Sequence, residues 1–231
     1  MGITGLLDKA VRFAINGRTA PFHTHPVPWV IHMSANIILA SQSSIRQQML
    51  RNAGVVHSAV PARIDEDQAR DALIGEGAAP RDIADTLAEM KARKISAKSP
   101  DAVVIGCDQV LSFNDTLLSK PQDKARAMEQ LRAMRNATHE LLSAVVVYRD
   151  NTPLWRHVST VRMTMRDLSD AYLASYLDRN WESIQHAVGA YKLEEEGIRL
   201  FSRIDGDYFA VLGLPLLELL TFLTTRGDLE T

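Results

Sequence analysis

The segment Ala102–Gln109 combines an apolar stretch with an acid, which is an arrangement suited to chemistry. Ala102–Ile105 has no polar alternation and predicts a strand that is covered on both faces. Ligands of open α/β sheets gather beyond the carboxyl ends of strands, where Asp108 could hold a metal ion or activate a water molecule. Alternatively, Asp108 is a turn residue that opens a hairpin into Val110–Phe113. The segment taken by itself favours this second interpretation.

A Ser-rich turn provides a second place for chemistry. It follows a short apolar strand, Asn36–Ala40, and either Ser43 or Ser44 can cap the helix that comes next. Free backbone N–H groups and hydroxyls at a helix N-terminus suit a phosphate. Arg46 lies in the first helical turn, where a positive charge opposes the helix dipole, so a bound anion would account for it. The alternative is a solvated arginine.

The elements that must position these residues alternate between helix and strand. Pro80 begins a helix with an apolar stripe of Ile83, Leu87 and Met90, and Lys91 is predicted at the boundary between core and solvent. Further strands and helices follow this pattern, with an acidic loop at 62–67 and a last helix that begins at Pro215. Interleaved helices and strands predict the α/β class with a mixed β-sheet flanked by helices.

Composition limits the possible function classes. The 231 residues are 46% hydrophobic, which suits one α/β domain or two closely joined lobes. A formal net charge of -2 argues against a general nucleic-acid binder. A single cysteine, Cys107, excludes an intramolecular disulfide and a Cys-based zinc site, and it is predicted to be a core residue. No apolar run reaches the roughly 18 residues that span a bilayer, so we expect a cytoplasmic protein that does not enter the membrane.

The beginning of the chain differs from the rest. Thr19–Pro28 is Pro-rich and irregular, and the segment lacks the apolar core of a secretory signal. We therefore predict that residues 1–35 are a peripheral N-terminal extension, or that the start has been assigned too early and Met33 is the true start. The functional domain is predicted to cover residues 36–226.

Seven motifs, read in order, resemble the Maf family of nucleotide pyrophosphatases. The resemblance covers residues 36 to about 224, and the last motif is the most distinctive. The motifs are Leu39–Arg46, Ile64–Glu66, Leu87–Ala92, Ile105–Gln109, Lys120–Pro121, Val188–Tyr191 and Ile204–Pro215.

The resemblance implies an elongated fold with a cleft between two lobes, similar to inosine triphosphate pyrophosphatases, and a possible homodimer. It also implies a divalent-metal-dependent enzyme that cuts nucleoside triphosphates between the α and β phosphates. Asp108 matches the catalytic acid of the family. Other polar positions of the family's site match Ser41, Arg46, Glu66, Lys91 and Lys120.

The chemistry agrees with these residue types. A triphosphate carries about four negative charges, so positioned cations such as Arg46, Lys91 and Lys120 can assist the reaction. Mg²⁺ or Mn²⁺ needs hard oxygen ligands, for which Glu66 and Asp108 are the candidates. Asp108 could instead draw the proton from the attacking water, and the sequence does not separate the two roles.

The chain departs from the commoner family pattern in two places. Many relatives carry consecutive arginines where this chain has Ile45-Arg46-Gln47, which predicts one cation fewer. The Asp-Gln form of the acid motif and the segment Tyr191–Glu194 resemble the branch that prefers 7-methyl-GTP. A carboxylate at Glu194 could accept hydrogen bonds from the N1–H and N2–H₂ edge of guanine. Alternatively, the acidic turn 194–196 simply faces water, or a neighbouring acid points inward.

Three functions are therefore compared. The favoured one is a pyrophosphatase for a modified purine triphosphate such as 7-methyl-GTP, which would prevent the incorporation of abnormal nucleotides into nucleic acid. The second is the same enzyme acting on the pyrimidine nucleotides dTTP, UTP or CTP. The third is a nucleotide-binding regulator of cell division without turnover, for which Gln47 is the best support in the sequence.

Overall fold

A seven-stranded mixed sheet forms the centre of the protein, of which this computed structural model describes residues 35–230. The predicted N-terminal extension therefore lies outside the described residues, apart from Ala35. The strands are β1 (Ile37–Leu39), β2 (Ser58–Ala59), β3 (Val103–Phe113), β4 (Thr116–Leu118), β5 (Thr138–Arg149), β6 (Thr152–Met165) and β7 (Phe201–Asp205). Their order is β2-β1-β3-β5-β6-β7, and β4 pairs with β3.

The predicted mixed sheet is confirmed. Strands β1, β2 and β3 run parallel to one another, whereas β3, β5, β6 and β7 form an antiparallel series. The helices within residues 35–230 are α1 (Ser44–Asn52), α2 (Glu66–Gly75), α3 (Pro80–Ser96), α4 (Lys124–Met134), α5 (Asp170–Ile184), α6 (Tyr208–Val211) and α7 (Leu216–Arg226). None of them is long and apolar enough to cross a membrane.

Asp108 lies in the middle of β3, opposite Ala144 of β5. Both positions predicted for this acid are therefore wrong, because β3 continues through Asp108 and neither ends before it nor turns there. On its other edge β3 pairs with β1 as far as Ile105 and with β4 from Leu111 onward. Among the described residues no strand covers the interval between those two pairings. This gap in the sheet gives a mid-strand side chain access to a ligand.

The acidic segment 62–67 was predicted as a loop, but in the structure its last residues begin a helix. Asp65 caps α2 by accepting a hydrogen bond from the Gln68 backbone N–H at 3.0 Å, so Glu66 occupies the first helical turn. Acids at an N-cap and in the first turn are favoured by the helix dipole. The prediction failed because a run of acidic residues is typical both of an exposed loop and of the first turn of a helix. Ala69 and Leu73 then pack on the core, which decides for the helix.

Helix α3 covers one face of β3 and uses a different stripe from the predicted one. Ile83 and Leu87 are buried as expected, but Met90 is 37% exposed and Lys91 is only 7% exposed. The buried face instead follows the small residues Ala84, Ala88 and Ala92. Relative to the predicted orientation, the helix is rotated about its axis so that Lys91 points inward. The pattern of apolar residues alone does not predict a buried lysine.

Gly106 explains why α3 approaches β3 so closely. A Cβ at this position would overlap the carbonyl oxygen of Ala88 and would lie 2.7 Å from the backbone nitrogen of Ala92. Backbone packs on backbone here, because both surfaces lack large side chains. Lys91 of α3 and Asp108 of β3 each lie within three residues of this contact.

We expect Gly106→Ala to lower the free energy of unfolding by about 1–3 kcal/mol, because α3 must move away from the sheet. Urea denaturation measures this effect. Gly75→Ala is the matched control, since a Cβ there meets nothing within 4 Å and should leave stability unchanged or slightly higher. Equal stabilities of the two variants would contradict the close-packing argument.

Candidate active site

A cleft of about 850 Å³ opens at the gap in the sheet, and all of the predicted site residues line it. Its walls come from the turn between β1 and α1, the beginning of α2, the middle of β3, the segment after β4, the end of α5 and the turn 188–194. The predicted residues that line it are Ser41, Arg46, Glu66, Lys91, Asp108, Lys120 and Glu194.

The Ser-rich turn is ordered by its own hydroxyls. Ser43 is the N-cap of α1, and its side chain accepts from the Arg46 backbone N–H at 3.4 Å. The buried Ser41 hydroxyl accepts from the Ser43 backbone N–H at 3.2 Å. The turn therefore presents the N-terminus of α1 to the cleft, as the capping pattern predicted.

The Arg46 side chain connects distant parts of the chain. Its Nε donates to the Gly213 carbonyl at 2.7 Å, and one terminal nitrogen donates to the Cys107 carbonyl at 3.3 Å and to the Ser41 hydroxyl at 3.5 Å. Gly213 has a φ of +92°, and a Cβ there would lie 2.9 Å from the guanidinium. The guanidinium thus holds the last motif against β3, and several of its donors are already used.

Lys91 lies between the two predicted metal ligands. Its Nζ is 2.7 Å from the Asp108 carboxylate and 3.0 Å from the Glu66 carboxylate. The side chains of Lys91 and Asp108 are 8% and 7% exposed, whereas Glu66 is 38% exposed. A buried ammonium in this position satisfies two carboxylates that would otherwise repel each other.

The residues at this point fit a small divalent cation. Glu66 and Asp108 supply hard carboxylate oxygens around Lys91, and Mg²⁺ commonly takes only one or two carboxylates together with phosphate oxygens and waters. Residues 35–230 contain no group of three or more His, Cys, Asp or Glu side chains suited to a metal. Phosphate oxygens of the substrate and waters would complete the coordination of a cation here.

Lys120 and Glu194 both line the cleft, and both are exposed. Neither side chain has a hydrogen bond or an ion pair with the described residues. The other two acids of the turn are occupied: Glu195 pairs with Lys192 at 3.3 Å, and Glu196 pairs with Arg179 at 2.6 Å. The bonds from Arg179 and from Asn180 lower the pKa of Glu196 to about 2. Of the three acids, Glu194 alone lines the cleft.

The neighbours of Arg46 point in different directions. Ile45 lines the cleft, whereas Gln47 lines a separate shallow cavity, in which its side chain accepts from Arg51 at 3.5 Å. Of the two, only Ile45 lies where a second cation would reach a ligand in the cleft. Because Gln47 does not line the cleft, it does not support the hypothesis of a nucleotide-binding regulator without turnover.

Comparison with known proteins identifies the family. The profile of the family described as Maf-like protein matches residues 36–226. The chain is 65% identical over 197 residues to "Nucleoside triphosphate pyrophosphatase" of Roseobacter denitrificans, which covers 85% of this chain and 99% of that relative. The chain belongs to the Maf-like protein family.

Two further relatives bear on the substrate. A "Nucleoside triphosphate pyrophosphatase" of a Ruegeria species is 63% identical over 198 residues, which covers 86% of this chain and 100% of the relative. A "7-methyl-GTP pyrophosphatase" of Brucella suis biovar 1 is 49% identical over 188 residues, which covers 81% of this chain and 94% of the relative. The resemblance identified from the motifs is thereby confirmed.

The cleft of this Maf-like protein contains cations that sequence reasoning missed. Arg63, Arg70 and Lys192 line it together with the predicted ones. Arg70 lies four residues after Glu66, a spacing that places both on one face of a helix. The signal was present in the sequence, but an acidic loop was predicted where α2 begins.

Cys107 and Gln109, the neighbours of Asp108, face away from α3. The Cys107 thiol is fully buried, and burial raises its pKa to about 11, so it is the inert core residue that was predicted. The Gln109 amide donates to the Ser143 hydroxyl at 2.9 Å and to the carbonyls of Ala210 and Val211 at 3.1 and 2.9 Å. These bonds hold α6 against the sheet beside the cleft.

A buried histidine supports the turn that carries Glu194. His139 on β5 lies 2.7 Å through Nε2 from the hydroxyl of Tyr191, and its Nδ1 has no partner among the described residues. That hydroxyl is also 3.6 Å from the Met163 sulfur. The Tyr191 hydroxyl can donate its proton to this sulfur and accept a hydrogen bond from a protonated Nε2 of His139. In that tautomer Nδ1 carries no proton, so the only unpaired group is its lone pair. Burial lowers the pKa of His139 to about 4, so the imidazole is neutral near pH 7.

The lowered pKa of His139 predicts that the stability of the fold decreases at acidic pH. Its folded pKa of about 4 lies below the ordinary value of 6.5, so the unfolded chain binds the proton more readily. The stability contributed by neutral His139 is complete above pH 6.5 and is lost as the pH falls towards 4. Between pH 7.5 and 4.5 we expect the wild type to lose about 2–3 kcal/mol more than His139→Gln. Urea unfolding at both pH values measures this difference, and parallel pH profiles would contradict it.

Proposed function

We propose that this chain hydrolyses nucleoside triphosphates between the α and β phosphates, and that a modified purine nucleotide such as 7-methyl-GTP is its preferred substrate. The class of enzyme follows from the relatives: at 65% identity over most of its length, the chain is a nucleoside triphosphate pyrophosphatase. The bond that is cut, the roles of the residues and the choice of base are the parts proposed here.

The observation that carries the proposal is the contact of Lys91 with both carboxylates in one cleft. Glu66 and Asp108 come from different elements, α2 and β3, yet both lie within 3.0 Å of the same Nζ. An ion-paired cluster with two carboxylates on the wall of a cleft is typical of a functional site. A volume of about 850 Å³ is sufficient for a nucleotide.

We assign Asp108 to the attacking water and Glu66 to the metal, with Asp108 as a second metal ligand. Asp108 accepts from Lys91 and is nearly buried, so its carboxylate is held in one orientation. A carboxylate in that state can accept the proton of a water as the water attacks phosphorus. A bound Mg²⁺ or Mn²⁺ would supply charge neutralisation at the phosphate oxygens. Lys120 would stabilise the charge that develops on the pyrophosphate, and Lys91, which pairs with both carboxylates, would hold Asp108 in place.

Glu194 supports the choice of a guanine base. Its carboxylate lines the cleft without a protein partner, while the next two acids are held by Lys192 and Arg179. A carboxylate acceptor matches the adjacent N1–H and N2–H₂ donors of guanine. Methylation at N7 adds a positive charge to the ring, which strengthens the attraction to the carboxylate.

A second candidate is an enzyme with a broader substrate range that includes the pyrimidine triphosphates. It is favoured by the names of the more similar relatives, since those at 65% and 63% identity are called nucleoside triphosphate pyrophosphatase and the 7-methyl-GTP relative is 49% identical. Ile45, which lines the cleft in place of a charged residue, is compatible with either candidate.

The catalytic assignment predicts that Asp108→Asn lowers kcat by at least about 10³-fold, because an amide cannot accept the proton of the water. Pyrophosphate release from 7-methyl-GTP with Mg²⁺ measures this effect. Asp101→Asn makes the same change on an exposed residue outside the cleft and should retain full activity. Undiminished turnover of Asp108→Asn would remove this residue from the mechanism.

The base assignment predicts that Glu194→Gln changes substrate preference rather than overall activity. We expect kcat/KM for 7-methyl-GTP to fall by about 10–100-fold, since one charge-assisted interaction is lost. The values for UTP, CTP and dTTP should stay equal or rise. Glu195→Gln removes the same charge at the neighbouring position, which does not line the cleft, and should leave the preference unchanged. A uniform loss across all bases would contradict the assignment.

A further inference from the structure

Most of the cations predicted to bind the triphosphate already have partners within the protein, so little of their positive charge is available to a substrate. Lys91 is neutralised by two carboxylates at 2.7 and 3.0 Å. Arg46 is half-buried and donates to two backbone carbonyls and to a hydroxyl. Of the three cations predicted from the sequence, Lys120 alone lacks a partner among the described residues. Among the predicted cations this leaves one exposed lysine, which is a weak counterpart for about four negative charges, so a cation outside the predicted set is needed.

Arg70 is placed to supply the missing charge. It lies on α2 one helical turn after Glu66, so both side chains extend from the same face of the helix, and both line the cleft. The Arg70 side chain is only 17% exposed, although α2 contains no fully buried residue. Its guanidinium therefore lies within the cleft wall and does not extend into solvent.

The partner of Arg70 can be exchanged for a ligand. One terminal nitrogen donates to Asp67 at 2.7 Å, and that carboxylate is 87% exposed. An ion pair with so exposed an acid contributes little to stability. The remaining donors of Arg70 have no hydrogen-bond partner among residues 35–230. Guanidinium groups bind phosphate oxygens in a bidentate way and more strongly than they bind a solvated carboxylate.

We infer that Arg70 binds the β and γ phosphates of the substrate and the pyrophosphate that leaves, an inference that rests on the proposed function. Glu66 and Asp108 mark the point of attack at the α phosphate. Arg70 lies one helical turn beyond Glu66 on α2, lines the same cleft, and carries a positive charge that matches the polyphosphate tail. The guanidinium therefore recognises the leaving group, which is shared by every nucleoside triphosphate, and it has no part in the choice of base.

Product inhibition tests this assignment. In Arg70→Gln we expect the inhibition constant of inorganic pyrophosphate to rise by about 10–100-fold, as for the loss of a charge-assisted pair. The inhibition constant of 7-methyl-GMP should stay within twofold of the wild type. Arg70→Lys should give an intermediate value for pyrophosphate, because the charge remains without the bidentate geometry. The KM of every triphosphate substrate should rise by a similar factor.

Arg126→Gln is the matched control. Arg126 also forms a pair with an acid three residues away, Glu129 at 2.6 Å, but it lies outside the cleft. Both inhibition constants should be unchanged in this variant. An unchanged pyrophosphate constant in Arg70→Gln would overturn the inference, and so would an equal loss for pyrophosphate and 7-methyl-GMP.

Direct titration separates this inference from the proposed function. Calorimetry with pyrophosphate and Mg²⁺ compares wild type with Arg70→Gln and requires no turnover. A wild type that binds pyrophosphate but releases none from any nucleotide would contradict the proposed function. The difference in pyrophosphate affinity between wild type and Arg70→Gln would still test the role of Arg70. A wild type that is active and binds pyrophosphate no better than Arg70→Gln would overturn the Arg70 inference alone.

Discussion

The site depends on the close packing of α3 on β3 at Gly106. Because a glycine faces the alanine-rich side of α3, helix and strand approach until their backbones are in contact. That distance allows Lys91 to reach Asp108 directly across the interface, at 2.7 Å. A larger residue at either surface would separate the ammonium from the carboxylate. A packing constraint in the core therefore determines the electrostatics of the cleft.

A second connection joins the two ends of the domain. Arg46, at the beginning of α1, donates to the carbonyls of Cys107 and Gly213, which are 61 and 167 residues away in the chain. A residue expected to bind phosphate thus also holds the last motif against the open edge of β3. Substitution of this arginine would therefore alter stability and substrate binding together, because one guanidinium serves both.

The gap in the sheet explains how mid-strand residues reach a ligand. β1 ends opposite Ile105 and β4 begins opposite Leu111, so five residues of β3 have no strand on that edge among the described residues. In place of a strand, the cation side chains of Arg46 and Lys91 approach the Cys107 carbonyl at 3.3 and 3.5 Å. The unpaired edge of the sheet thereby becomes the floor of the cleft.

The sequence by itself determined the α/β class, a serine cap on the first helix and the helix at Pro80, because capping and periodicity are local properties. The predicted residues that line the cleft came from the order of motifs that resemble the Maf family. The sequence did not reveal that Lys91 is buried, since the rotation of α3 is decided by Gly106 across the interface. It also did not reveal Arg70, because a loop was predicted at 62–67, where its helix begins. Only the tertiary structure decided which acid of the 194–196 turn faces the cleft, because identical neighbouring residues differ only in their contacts with distant side chains.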